Sequence, residues 1–78
     1  MKIIVYGPGC ARCHETERLV RAAAAEADIA ADIEKVSDFA AMAKAGVLTT
    51  PAVAVNGVVK STGRIPDKKE IKTWLSGN

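Results

Sequence analysis

The stretch G-P-G-C-A-R-C-H-E-T, positions 7–16 of a 78-residue chain, holds Cys10 and Cys13, the chain's two thiols, two residues apart. A C-x-x-C pair admits four chemistries: a structural staple, a metal site, a haem attachment site, or a dithiol–disulfide redox centre. As a staple the pair is poor, because a disulfide stabilises mainly by closing a loop in the unfolded chain and so small a ring is worth only about 2 kcal/mol. A zinc site needs four ligands, and beyond the thiols there is one histidine, His14, adjacent to Cys13 and so about 100° round a helix from it, with no second C-x-x-C. Cys10-Ala11-Arg12-Cys13-His14 also spells the haem c attachment pattern. The axial methionines on offer are Met1 and Met42, in a chain patterned for strands where a haem is usually wrapped by helices. Two chemistries stay open: two thiolates holding a soft cation, and thiol–disulfide exchange.

Exchange makes specific demands that this stretch can meet. The nucleophile is a thiolate, which the unpaired N–H groups and positive end of a helix N-terminus favour. Cys10 falls at the start of an Ala/Glu/Arg-rich helical segment, so it is the expected attacking thiol, more acidic than a free cysteine. Cys13, one turn further on, is the expected resolving thiol: residues three apart on a helix have β-carbons about 5–6 Å apart, and slight tightening brings them to the roughly 3.8 Å of a disulfide. Gly7 and Gly9 keep the approach to Cys10 open to another sulfur, and Pro8 stiffens it. Arg12, between the cysteines, can favour the thiolate by charge. His14 reads as a solvated flank more readily than as a proton relay, and Tyr6 as packing.

These residues are held by alternating elements. K-I-I-V-Y at 2–6 is a β-branched run closed by Gly7-Pro8-Gly9, hence a strand and a loop. From Cys10 to about Ala27 the pattern is helical, with Cys13, Val20, Ala24 and Ala27 on one face and Glu17 four residues before Arg21. I-A-A-D-I-E-K-V at 29–36 reads as a second strand. Ser37 or Asp38 caps a short helix running to about Ala45 and ended by Gly46. Thr49-Thr50-Pro51 breaks the chain, and Asn56-Gly57 joins two β-branched runs, 52–55 and 58–61, as a hairpin. Asp67 and Glu70 make a capping box for a last helix with Ile71, Trp74 and Leu75 on its apolar face, stopping at Gly77. The order β-α-β-α-β-β-α ends on a helix, unlike the strand-terminated plan of small soft-metal carriers, which also resemble a pattern with Met where Pro8 stands.

Composition sets the remaining limits. Ile3, Ile4, Val5, Leu19, Val20, Val47, Leu48, Val53, Val55, Trp74 and Leu75 are most of the large apolar side chains, so the core must be small. Net charge is +2 with acids and bases interspersed, leaving no basic stripe for nucleic acid. No apolar stretch approaches the roughly 20 residues of a membrane span, and the first strand runs straight into the motif without room for a signal peptide. A cytoplasmic protein with no membrane or nucleic-acid partner is expected.

The combination resembles a known family. A C-x-x-C opening the first helix, Thr-Pro just before a strand, and a hairpin feeding a final helix are similar to the thioredoxin and glutaredoxin superfamily. With G-x-G-C-A-x-C, E-K-V-x-D, G-V-x-T-T-P-A-x-x-V-N-G and G-R-x-P, the whole chain resembles the small single-domain redox-active disulfide proteins of prokaryotes. The resemblance implies one α/β, thioredoxin-like domain over 1–78, with a four-stranded mixed sheet of order 2-1-3-4. It implies a thiol–disulfide oxidoreductase cycling Cys10 and Cys13 against a disulfide-containing protein or small disulfide, with no cofactor and no metal. A cis Thr50-Pro51 peptide beside the cysteines would pair with the substrate backbone, and Gly9 and Arg12 would flank the bound sulfur. Gly63-Arg64 would close a loop near the site. No nucleotide-binding glycine motif is present, so electrons would come from an external reductase. Gly9 stands where thioredoxins have a tryptophan and Ala11-Arg12 where they have Gly-Pro, while their usual N-terminal strand and helix are lacking. The non-catalytic alternative is a binder holding copper(I), zinc or a trivalent arsenical on the same two thiolates.

Overall fold

A central sheet of four strands organises the chain, and side-chain alternation along each strand sends its residues to two different cores. The computed structural model describes residues 1–9 and 11–76. The elements are β1 (Lys2–Tyr6), α1 (Ala11–Glu26), β2 (Asp32–Val36), α2 (Phe39–Lys44), β3 (Ala52–Val55), β4 (Val58–Thr62) and α3 (Lys68–Leu75). The strand order is β2-β1-β3-β4, the mixed α/β arrangement expected from the sequence. β1 runs parallel to β2, with Val5 opposite Lys35, and antiparallel to β3, with Val5 opposite Val53. Successive strand residues face opposite ways. Ile3, Val5, Val53 and Val55 therefore pack with Val20, Ala23 and Ala24 of α1 and Ile71 and Leu75 of α3. Tyr6, Ala52 and Ala54 face Met42 of α2 and Val47 on the other side.

The punctuation is local chemistry. Asn56 and Gly57 have φ of 51° and 85°, the doubly left-handed turn whose twist matches a two-residue hairpin. The Asn56 amide donates to Lys2 O at 2.7 Å, and its Oδ1 accepts from Lys2 N at 2.9 Å, which locks the hairpin to β1. Asp38 caps α2 through its side chain, which accepts from Ala40 N. Asp67 and Glu70 form the reciprocal capping box of α3.

Four expectations need correction. The second strand starts at Asp32, not at residue 29. β1 offers its first pairing position at Lys2, opposite Asp32, and the Ile29 amide is spent on Ala24 O at 3.0 Å, so residues 29–31 have no ladder to join. Ala27 is exposed in the turn after α1; the buried face is Cys13, Thr16, Val20, Ala23 and Ala24. Trp74 is half-buried, packed against the core that Ile71 and Leu75 enter fully. Leu48 is 92% exposed, because Val47 takes the core position and the following residue must turn into the Thr49-Thr50-Pro51 loop. The expected helix start at Cys10 and stop at Gly77 lie outside the described residues.

Candidate active site

The site forms where the C-terminal end of β1, the first turn of α1 and the loop before β3 converge. Gly7 continues the β1–β2 ladder by donating its amide to Val36 O at 2.9 Å, which fixes where the chain leaves the sheet. Cys13 is fully buried one turn into α1. Its side chain packs directly on Gly7. A β-carbon built on Gly7 would overlap the Cys13 sulfur, lie 2.9 Å from Cys13 Cβ, and lie 4.0 Å from Thr50 Cβ. Gly7 is therefore the floor between Cys13 and the Thr50-Pro51 loop, a tighter role than the open approach read from the sequence. Gly9 is the residue that needs glycine for conformation, with φ of 94°. Cys10 lies outside the described residues; it stands between Gly9 and the first residue of α1 in the sequence.

On the opposite wall, the Thr50-Pro51 peptide is cis and Pro51 is buried. Its loop is tied to the residue that follows β4. Gly63 donates its amide to Pro51 O at 2.9 Å, and its carbonyl accepts from Arg12 Nη2 at 3.2 Å. Gly63 has φ of 73°, and a β-carbon there would come within 2.9 Å of Thr49 Oγ1. The side chain between the cysteines thus reaches across to the loop that carries Thr50 and Pro51. Arg64, by contrast, turns away to make a two-pronged ion pair with Glu70, both contacts at 2.7 Å. Thr16 stabilises the first turn of α1 by donating its hydroxyl to Arg12 O at 2.9 Å.

The structure adds one further residue to those expected. Lys35 shares a sheet face with Ile33 and lies beside Val5 on the α1 side. Its Nζ is 3.4 Å from His14 Nδ1 and would be 3.8 Å from a β-carbon on Gly9. The signal was in plain view: Lys35 interrupts an alternating strand at an inward position. His14 is exposed, as expected, and meets this lysine. Among the described residues, no three His, Cys, Asp or Glu side chains group to hold a metal ion, and no helix is long and apolar enough to cross a membrane.

The chain matches the thioredoxin domain family over residues 1–76. It is 42% identical over 76 residues to a thioredoxin of Methanothermobacter thermautotrophicus, covering 97% of this chain and 99% of that protein. A thioredoxin of Methanocaldococcus jannaschii is 38% identical over 79 residues, covering 96% of this chain and 91% of its own length.

Proposed function

This chain belongs to the thioredoxin domain family, a thiol–disulfide oxidoreductase family, and from that premise we propose that Cys10 and Cys13 form its exchanging dithiol in a single domain spanning 1–78. The Cys10 thiolate attacks one sulfur of a substrate disulfide; a new S–S bond forms, the old one breaks, and the distal sulfur leaves as a thiolate. Cys13, as thiolate, then attacks Cys10 Sγ and releases the second substrate thiolate. The protein's dithiol is oxidised by two electrons and the substrate disulfide reduced by two. The protons of the two cysteines pass through solvent to the two departing thiolates.

The observation that carries this reading is the burial of Cys13 on Gly7 beside Thr50. A resolving thiol must be sheltered from outside disulfides yet face the position that an attacked sulfur occupies. Gly9 keeps the approach unobstructed. Thr50, preceding Pro51, offers its backbone to an extended substrate, and Arg12 braces that loop through Gly63. The substrate is a disulfide-containing protein or small disulfide, and an external reductase in the cytoplasm returns the electrons.

Trapping tests the assignment. Cys13→Ser should accumulate mixed disulfides with a protein substrate, and Cys10→Ser should not. Equal trapping by both variants overturns the division of roles. Reduced protein that binds copper(I) one to one and shows no turnover overturns the oxidoreductase reading in favour of the soft-metal binder.

A further inference from the structure

We infer that Lys35, together with Arg12, selects disulfides whose neighbouring groups are carboxylates; this rests on the exchange reading above and names its substrate class. The argument begins with where charge is neutralised. Lys2 pairs with Asp32 and Glu34, Arg18 with Glu15, Arg21 with Glu17, Arg64 with Glu70, and Lys68 and Lys72 share Glu26. Asp38 and Asp67 are engaged in capping helices. None of these carboxylates pairs with the two cations that flank the motif, and Asp28, exposed in the turn after Glu26 at the far end of α1, makes no ion pair with them either.

Arg12 gives one N–H to Gly63 O and meets no acid among the described residues. Lys35 meets His14 Nδ1 and no carboxylate among the described residues, and it stands over Gly9, the residue before Cys10. The other lysines without an ion pair among the described residues, Lys44, Lys60 and Lys69, sit on α2, β4 and α3. One cation therefore lies on the Gly9 side of the motif and one on the Gly63 side. The sheet register places Lys35 here, its backbone opposite Val5 of β1. At 0.1 M salt a charge is felt over about 10 Å, so these cations act on the groups immediately beside a docked sulfur and not on a substrate's net charge.

The reach suggests the size of the effect. One unit charge at about 7 Å in an aqueous setting changes a rate roughly threefold at low salt, in opposite directions for an anionic and a cationic substrate. The preference should therefore fall about fivefold or more when Lys35 is neutralised and about twentyfold or more when it is reversed.

The test uses reduced full-length protein and three disulfide probes: 3,3′-dithiodipropionate, a dianion; cystamine, a dication; and neutral 2-hydroxyethyl disulfide. Rates are divided by those of dithiothreitol with the same probe, which removes each probe's own reactivity. The anion-to-cation ratio should drop in Lys35→Gln, drop further in Lys35→Glu, and collapse for wild type in 1 M salt. Lys60→Glu, which makes the same charge change at the other edge of the sheet, should leave the ratio within about twofold. An unchanged ratio in Lys35→Glu, or an equal change in Lys60→Glu, overturns the inference while exchange with the neutral probe still upholds the oxidoreductase reading. Absence of exchange with the neutral probe overturns both.

Discussion

Replacing Gly7 by alanine introduces a single methyl group into the tightest point of the site, and the structure says what it meets. The added carbon would overlap the Cys13 sulfur and approach Cys13 Cβ to 2.9 Å. Carbon atoms in good contact sit about 3.5–4.0 Å apart, so Cys13 or the end of β1 must move by roughly 1 Å. Neither yields easily, because Cys13 is fully buried in the first turns of α1 and Gly7 N is bonded to Val36 O. Overpacking of a well-filled site costs about 1–3 kcal/mol, and this contact belongs at the upper end. A chain of this length has about 4–12 kcal/mol of stability, so Gly7→Ala should fold but lose about 3 kcal/mol. At about 4–8 °C per kcal/mol, the melting temperature should fall by roughly 12–24 °C. Urea denaturation under reducing conditions gives the number, and single-turnover exchange should show slower release of the mixed disulfide because the resolving sulfur is displaced. Gly9→Ala is the internal control: its cost comes from a φ of 94°, not from Cys13, so it should destabilise without slowing release. A Gly7→Ala variant within 0.5 kcal/mol of wild type would refute the packing argument, as that loss is below the range given for overpacking.

Further outcomes follow from other contacts. Hydrogen bonds from Lys68 and then Lys72 hold the Glu26 carboxyl down to about 2, below its ordinary value of 4.5. A depressed acid stabilises the fold above its unfolded value, so this contribution is complete above about pH 4.5 and is lost as pH falls towards 2. Glu26→Gln should therefore flatten the acid limb of the urea midpoint, and an unchanged limb would show that the α1–α3 bridge contributes nothing. Glu15, lowered by Arg18, and Glu70, lowered by Arg64, should keep a residual slope of the same sign. Ser61 Oγ is buried with no partner among the described residues, so Ser61→Ala should raise stability by about 1 kcal/mol by equilibrium denaturation. Asp67→Ala should cost about 1 kcal/mol through loss of the α3 cap, with exchange rates unchanged.

What could be read from the sequence and what could not divide along a physical line. The hairpin at Asn56-Gly57, the cap at Asp67 and Glu70, and the alternation that builds β1 are decided by residues within four positions of each other, so composition alone exposes them. The pattern at 29–36 overextends the second strand because its true start is set by where β1 begins, a partner 30 residues away. Hydrophobicity alone points Leu48 and Trp74 to the core, yet it is Val47, Ile71 and Leu75 that enter it, with Leu48 exposed and Trp74 half-buried. The site shows the same division. The motif could be read because its thiols are three positions apart, and the Thr50-Pro51 loop because it resembles a known arrangement. The role of Gly7 as the surface on which Cys13 rests, the brace from Arg12 to Gly63, and the approach of Lys35 to Gly9 and His14 each join residues separated by 6 to 51 positions. Lys35 is the instructive case. An inward lysine on a strand that borders the core must either carry a partner or extend past the sheet's end into solvent. The parallel register of β1 and β2 fixes which: Lys35 lies opposite Val5, two residues before Gly7, so its long side chain reaches the point where the chain leaves the sheet for the motif. A register shift of two residues would move that cation by about 7 Å, along the strand and off the motif, at the roughly 3.3 Å per residue of a parallel strand. The sequence of β2 thus supplies the charge, and the pairing with β1 decides that it stands beside Gly9.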